Sequence, residues 1–469
     1  MTMLRVRLCH VLAFVFTFAF ALDARSHSIR ADELLALTTD FSTGSLSSVA
    51  LDDPWNADLD VASVCADAVG RSYGGLFYVV NRLGCDNIQV IDPAQGYATV
   101  REFSVGSGSN PQDIAFASPN RAFVSRYDRT TLLEIDPGTG ATVDSLSLAA
   151  FADGDGLPEM HRIWLQGKYL YVQLQRLDRN DGYQPVAPSY LVVIDIDAWE
   201  VVDTDPQAPG VNAIPLTGLN PTGPMEIDRT TGDLLVPESG RFLELDGGLD
   251  RIDLFRWKAE GFAVSESALG GDLLHFAQWD GARAYAIVSD AGFNTCLVAF
   301  HPLLGTNLGT VYCSDGFELA DCVTSAEGWL YVADRDFIDP GVRIFHAGTG
   351  QPEGDLVPTG LPPFELIVHR PANSGGPTLP PLFASGPSPN PARVETNLQL
   401  ARELAAAGGE IRIVDAGGRG LRSLPIPRDG RVVWDLRDSR GVSVPTGRYW
   451  LRAEGAPGTE AAKAVVVLR

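Results

Sequence analysis

The chain has 469 residues, 36 Lys+Arg against 59 Asp+Glu, and a formal net charge of −23. That balance excludes a phosphate backbone as partner, which needs a basic face, and excludes docking on an anionic membrane surface. Its 48 Gly and 31 Pro follow no collagen period, so they point to turns between many short strands rather than to long helices.

At the N-terminus, Arg5 and Arg7 precede a largely apolar run over 11–21, and Ala19 and Ala21 set small residues where a signal peptidase reads. A signal peptide is expected over 1–24. The run is shorter than the ~20 apolar residues that a bilayer core requires. The expected location is therefore secreted, periplasmic or cell surface, with no transmembrane segment in the mature chain. Cys9 lies before the run, which leaves Cys65, Cys85, Cys296, Cys313 and Cys322 in a compartment that permits disulfides.

The middle of the chain repeats. Residues 110–148 contain four short strands, PQDIAFAS, RAFVSRY, TLLEIDPGTG and ATVDSLSL, separated by turn residues. The cadence returns as GLFYVVNRLGCDNIQVIDPAQG from Gly75, as KYLYVQLQ and YLVVIDIDAW from Lys168, and as WLYVADRD and VRIFHAGTG from Trp329. A weaker copy starts at Arg283, and the copy from Asp233 is the most diverged. Opening strands are read at 111–118, 158–165, 224–228, 272–278, 318–324 and 363–370. Most are spaced by about 45–60 residues, the size of a propeller blade.

Complete units begin near Ala66, Pro111, Pro158, Pro224, Asp272 and Glu318. Two fragments remain. FELIVHR (364–370) is an opening strand with nothing after it, and 33–53 is a strand pair with no opening strand before it. Joined, they complete a seventh unit and leave no exposed sheet edge. The expected fold is all-β: a seven-bladed propeller over 33–370, closed by a unit shared between its two ends.

A pair of strands over 294–300 and 309–314 flanks a loop at 301–308. Opposed residues in an antiparallel hairpin have numbers of constant sum, and that rule sets Cys296 opposite Cys313, at a distance a disulfide accepts. Cys322 is a rival partner for Cys313, and Cys65 with Cys85 forms the other candidate pair.

Residues 371–384 read as a Pro/Gly linker, and 385–469 as a second unit of Gly-punctuated strands whose length suits an Ig-like sandwich. The repeat over 33–370 resembles the propellers of the YVTN/YncE-like, surface-layer type, on the cadence seen in TLLEIDPGTGATV and LFYVVNRLGCDNIQVIDP. The tail resembles the Ig-like domain of the FlgD type, on Pro389-Asn390-Pro391, IRIVDAGGRGLRSL, VVWDLRDSRGVSVPTGRYWLRAEG and the final VVVLR. The second resemblance implies a sorting, export or retention role, with secretion machinery as a partner, and Trp434 in the sandwich core.

Catalytic motifs are absent from the sequence: there is no GxSxG elbow, no HExxH and no phosphate-cradling Gly loop. In a propeller the opening strands line the centre, so the ligand-binding candidates are Asp113, Glu159, His161, Glu226, His275, Asp321 and Glu365, read as a polar and mostly acidic funnel. The sharpest local signal is FADGDGLPEMHR (151–162), where Asp153 and Asp155 sit in a tight loop ahead of Glu159. Oxygen ligands from a flexible loop suit Ca²⁺. A second acidic loop, LDRNDG (177–182), opens an insertion with Tyr183 near its tip. The function expected is a non-enzymatic binding or scaffold protein with an extracellular ligand or envelope component as partner. The alternative is a hydrolase or lyase using a divalent metal in the funnel.

Overall fold

The computed structural model describes residues 32–370 apart from 229 and 255, together with 383–400, 410–415, 419–454 and 461–469. The expected signal peptide lies outside the described residues. So does most of the expected linker, whose last two residues belong to the strand Phe383–Ser388.

Among the described residues, seven antiparallel sheets of four or five strands follow one another between residues 33 and 369, with a two-stranded ribbon, Leu177–Asp178 and Gln184–Pro185, in one of the turns. Their opening strands are Ala68–Tyr73, Pro111–Ser118, Met160–Gln166, Glu226–Ile227, Asp272–Gln278, Leu319–Thr324 and Pro363–His369. Six sheets take their later strands from the residues that follow. The last takes them from the other end of the chain: Pro363–His369 pairs with Glu33–Thr39, so that Glu33 faces His369 and Leu35 faces Ile367. Gly44–Ala50 and Ala57–Val64 complete it.

The burial pattern explains the sequence pattern. The second and third strands are apolar on both faces, as in Leu76–Asn81 and Asn87–Asp92, because each sheet is packed between two others. The fourth strands, such as Ala141–Ser147, form the outer edge and are polar and exposed. A separate core fills each junction. Val69 and Val80 pack with Ile114 and Val124. At the seam Leu35, Leu37 and Leu46 pack with Phe77, Val79 and Ile91. The sheets therefore form a closed ring, and the fold is a β-propeller.

Cys65–Cys85 and Cys296–Cys313 are disulfides, and Cys322 is a buried thiol. Cys296 faces Cys313 as expected, but by a different route. The strands run Thr295–His301 and Thr306–Cys313, so the turn is shorter than 301–308, and two register shifts restore the expected opposition. Two disulfides fit an oxidising, extracytoplasmic environment. Among the described residues no helix is long and apolar enough to cross a membrane.

The C-terminal part forms a three-stranded and a four-stranded sheet. They share one core around Trp434, Leu398, Ile413 and Leu451.

Candidate functional site

The carboxylates of the opening strands are engaged in holding the ring together. Glu365 accepts the Gly70 backbone N–H at 2.6 Å, across the seam. Asp113 accepts that of Ile163 at 3.0 Å, Asp321 that of Leu366 at 2.7 Å and Glu226 that of Gln278 at 3.2 Å. Each bond joins the opening strand of one sheet to the opening strand of the next. Short central strands leave N–H groups without ladder partners, and a carboxylate from the neighbour satisfies them.

Arginines that the sequence reading passed over complete this layer. Arg71 lies 2.9 Å from Asp113 and 3.3 Å from Glu365, and Arg162 lies 3.0 Å from Glu365. Despite the cost of burial, Asp113 and Glu365 hold the Arg71 guanidinium charged. Burial, with Arg162 and Arg82 nearby, drives His161 down to about 3, so it is a neutral ring, with Nδ1 3.2 Å from Gln173. This half of the centre is a balanced ionic network rather than an acidic funnel.

On the other side, His275 places Nε2 2.8 Å from Asp321 and Nδ1 3.8 Å from the Cys322 sulfur. The order Cys–His–Asp invites a nucleophilic reading. Burial, then Asp321 and Glu226, pushes the Cys322 thiol well above its ordinary range. A reactive cysteine needs an electropositive, accessible setting, and this one has neither.

The loop before Met160–Gln166 holds a different arrangement. Asp153, Asp155 and Glu159 each offer a carboxylate oxygen, and the three oxygens lie within 4.8 Å of one another. Backbone geometry builds the cluster. Asp153 accepts the Asp155 N–H at 3.0 Å and Asp155 accepts that of Leu157 at 2.8 Å, which tightens the turn. The insertion is drawn in by Arg179 N–H to Asp155 (3.2 Å) and Leu177 N–H to Glu159 (3.3 Å). Glu159 is fully buried and has φ of 46°, a conformation that non-glycine residues rarely adopt. Its Oε1 and the Asp153 Oδ2 are buried with no hydrogen-bond partner. Burial, then Asp155 and Asp153, holds the Glu159 carboxyl up at about 8. Among the described residues one cation stands beside them: Arg179 Nε is 3.5 Å from Asp155 and 3.7 Å from Glu159, while its Nη2 reaches Asp128. Of the residues proposed from sequence, the structure thus brings Asp153, Asp155 and Glu159 together. Asp113 and Glu365 share a second group, and His275 and Asp321 a third.

In a ring of meandering sheets, the turns between second and third strands share one face with the connections into the next opening strand. That face carries Asp153, Asp155 and Glu159. It also carries exposed Phe41, Leu83, Tyr183, Phe242, Phe293 and Phe337, in the corresponding turn of six sheets. Two pairs of them lie together across neighbouring sheets, Phe41 with Phe337 at 6.4 Å and Phe242 with Phe293 at 5.7 Å between ring centroids; contiguous apolar surface is informative where single exposed apolar residues are ordinary. The signal was present in TDFSTG, SDAGFN and DRDFIDPG, where a bulky residue interrupts Asp/Gly turn chemistry.

No family model and no curated protein matches the chain. Among solved structures it is similar to PorZ, an essential bacterial surface component of the type-IX secretion system of Porphyromonas gingivalis. The identity is 14%, the TM-score 0.43, and the match covers 91% of this chain and 64% of that one, so the chain spans less than two thirds of PorZ. It is similar to AztD from Citrobacter koseri at 12% identity and TM-score 0.45, covering 72% and 97% of the two chains. A functionally unknown protein from Desulfotomaculum acetoxidans matches at 11% and 0.48, covering 73% and 100%. Likeness at these identities concerns the fold alone.

Proposed function

We propose that the chain is a secreted or cell-surface, non-enzymatic binding protein. Its ring is a seven-bladed propeller closed by both ends of the domain, and residues 385–469 are an Ig-like module of the FlgD type that serves export or retention. The loop face is the binding surface, and Asp153, Asp155 and Glu159 hold a divalent cation of the Ca²⁺ class there.

The observation that carries this reading is the grouping of three carboxylates, two of which have an oxygen buried without a hydrogen-bond partner. Buried charge is costly unless paired or coordinated. Arg179 approaches two of the carboxylates only at ion-pair distances, and it also serves Asp128. Hard oxygen donors on a loop match Ca²⁺, and water or backbone oxygens would complete its shell.

The test is calcium titration of the full chain by calorimetry and thermal unfolding. One equivalent is expected to bind, and at a hundred times Kd it should add about 2.7 kcal/mol of stability. The doubly substituted Asp153→Asn, Asp155→Asn chain should lose both effects. Absence of binding to the unsubstituted chain would mean that Arg179 is the only counter-charge and would end the proposal.

A further inference from the structure

A second site stands on the same face, between the sheets opened by Leu319–Thr324 and Pro363–His369. A cavity of about 300 Å³ is walled by Phe41, Phe317, Phe337 and Phe364, with Arg335 and Glu318 on its lining. That volume is at the low end for ligand pockets, which combine apolar walls with a few polar groups. Phe41 and Phe337 are 66% and 72% exposed, with ring centroids 6.4 Å apart, so apolar surface is left for a ligand to cover.

The two charged groups make the cavity specific. The Arg335 backbone N–H donates to the Glu318 carbonyl at 2.9 Å, so the residues are neighbours across a strand pair. Yet their side chains do not pair. Among the described residues no carboxylate lies within 4.0 Å of the Arg335 guanidinium, and no cation within 4.0 Å of Glu318. Arg335 instead donates from Nε and Nη2 to the Phe317 carbonyl, at 3.2 and 3.1 Å, and lies over the Phe317 ring. Burial pushes the Arg335 guanidinium down, and burial, then Asp334, Asp336 and Asp315, push the Glu318 carboxyl up against the opposing charge of Arg343.

We propose that this cavity binds a zwitterionic apolar α-amino acid. The ligand carboxylate meets Arg335, its ammonium meets Glu318, and its side chain lies among Phe41, Phe337 and Phe364. A carboxylate alone would leave Glu318 unanswered, and an amine alone would leave Arg335 so. The site is separate from the carboxylate cluster around Glu159 and does not depend on a cation there.

Three probes with one apolar group separate the possibilities: phenylalanine, 3-phenylpropionate and 2-phenylethylamine, titrated into the full chain by calorimetry and saturation-transfer NMR. Phenylalanine is expected to bind at least fivefold tighter than either single-charge probe. Arg335→Gln should remove its advantage over the amine, and Glu318→Gln its advantage over the acid. Phe337→Ala, at an exposed turn, should weaken all three. The Asp153→Asn, Asp155→Asn chain should bind phenylalanine unchanged. Equal or tighter binding of either single-charge probe, no saturable binding of phenylalanine, or indifference to both Arg335→Gln and Phe337→Ala would overturn the proposal.

Discussion

Glu365 shows how a residue read as a ligand turns out to be part of the frame. It accepts the Gly70 N–H across the seam and faces both Arg71 and Arg162. Arg162 is buried, its Nε and Nη1 have no hydrogen-bond partner, and among the described residues Glu365 is the one carboxylate within 4.0 Å of it. Removing one partner from a buried ion pair costs ~3–5 kcal/mol. Glu365→Gln should therefore lower unfolding free energy by about 3 kcal/mol or more in denaturant titration. A loss below about 1 kcal/mol would mean that the network contributes little to the ring. Asp113, Glu226 and Asp321 belong to the same pattern. Sequence identified these positions as central because the opening strands were readable. It could not reveal their bonds, because an acidic residue on a central strand looks the same whether it meets a ligand or a neighbour's N–H. The arginines were missed for a related reason: nothing in isolated Arg71 or Arg162 says that it faces a carboxylate some three hundred or two hundred residues away.

At the scale of strands, legibility followed burial. The strands packed on both faces, such as Tyr169–Leu174 and Tyr190–Asp195, read as continuous apolar runs and start where the repeat places them. The Cys296–Cys313 pairing was legible from strand register even though the turn was not, because two register shifts offset the shorter turn. The sheet opened by Glu226–Ile227 was the hardest to read, and its opening strand is only two residues long. The seam rests on one strand. Pro363–His369 covers the inner edge of Glu33–Thr39, and an uncovered edge of that kind is a site of fraying or misassociation. A chain ending at residue 362 should lose amide-exchange protection through 33–64 first and show increased self-association by light scattering. Retained protection there would mean that closure does not depend on the shared sheet.

For the whole molecule, the ring is a rigid mount and the chemistry sits on its loops, as is general for such scaffolds. One face collects the carboxylates around Glu159, the Phe-walled cavity and exposed apolar turns from six sheets. The oxidised cysteines match an extracytoplasmic setting. Burial pushes the Cys322 thiol up, and the proposed recognition rests instead on the loop face, with its three neighbouring carboxylates and its exposed apolar turns. Tyr127 lies beside Glu159, where its ring is covered by Arg179, and it can sensitise a lanthanide bound at the carboxylates. The most direct test is terbium luminescence excited through tyrosine on the purified full chain. The account predicts saturable emission with one equivalent of terbium, displaced by calcium and lost in the Asp153→Asn, Asp155→Asn chain. Emission that never saturates, or that survives those substitutions, would contradict it.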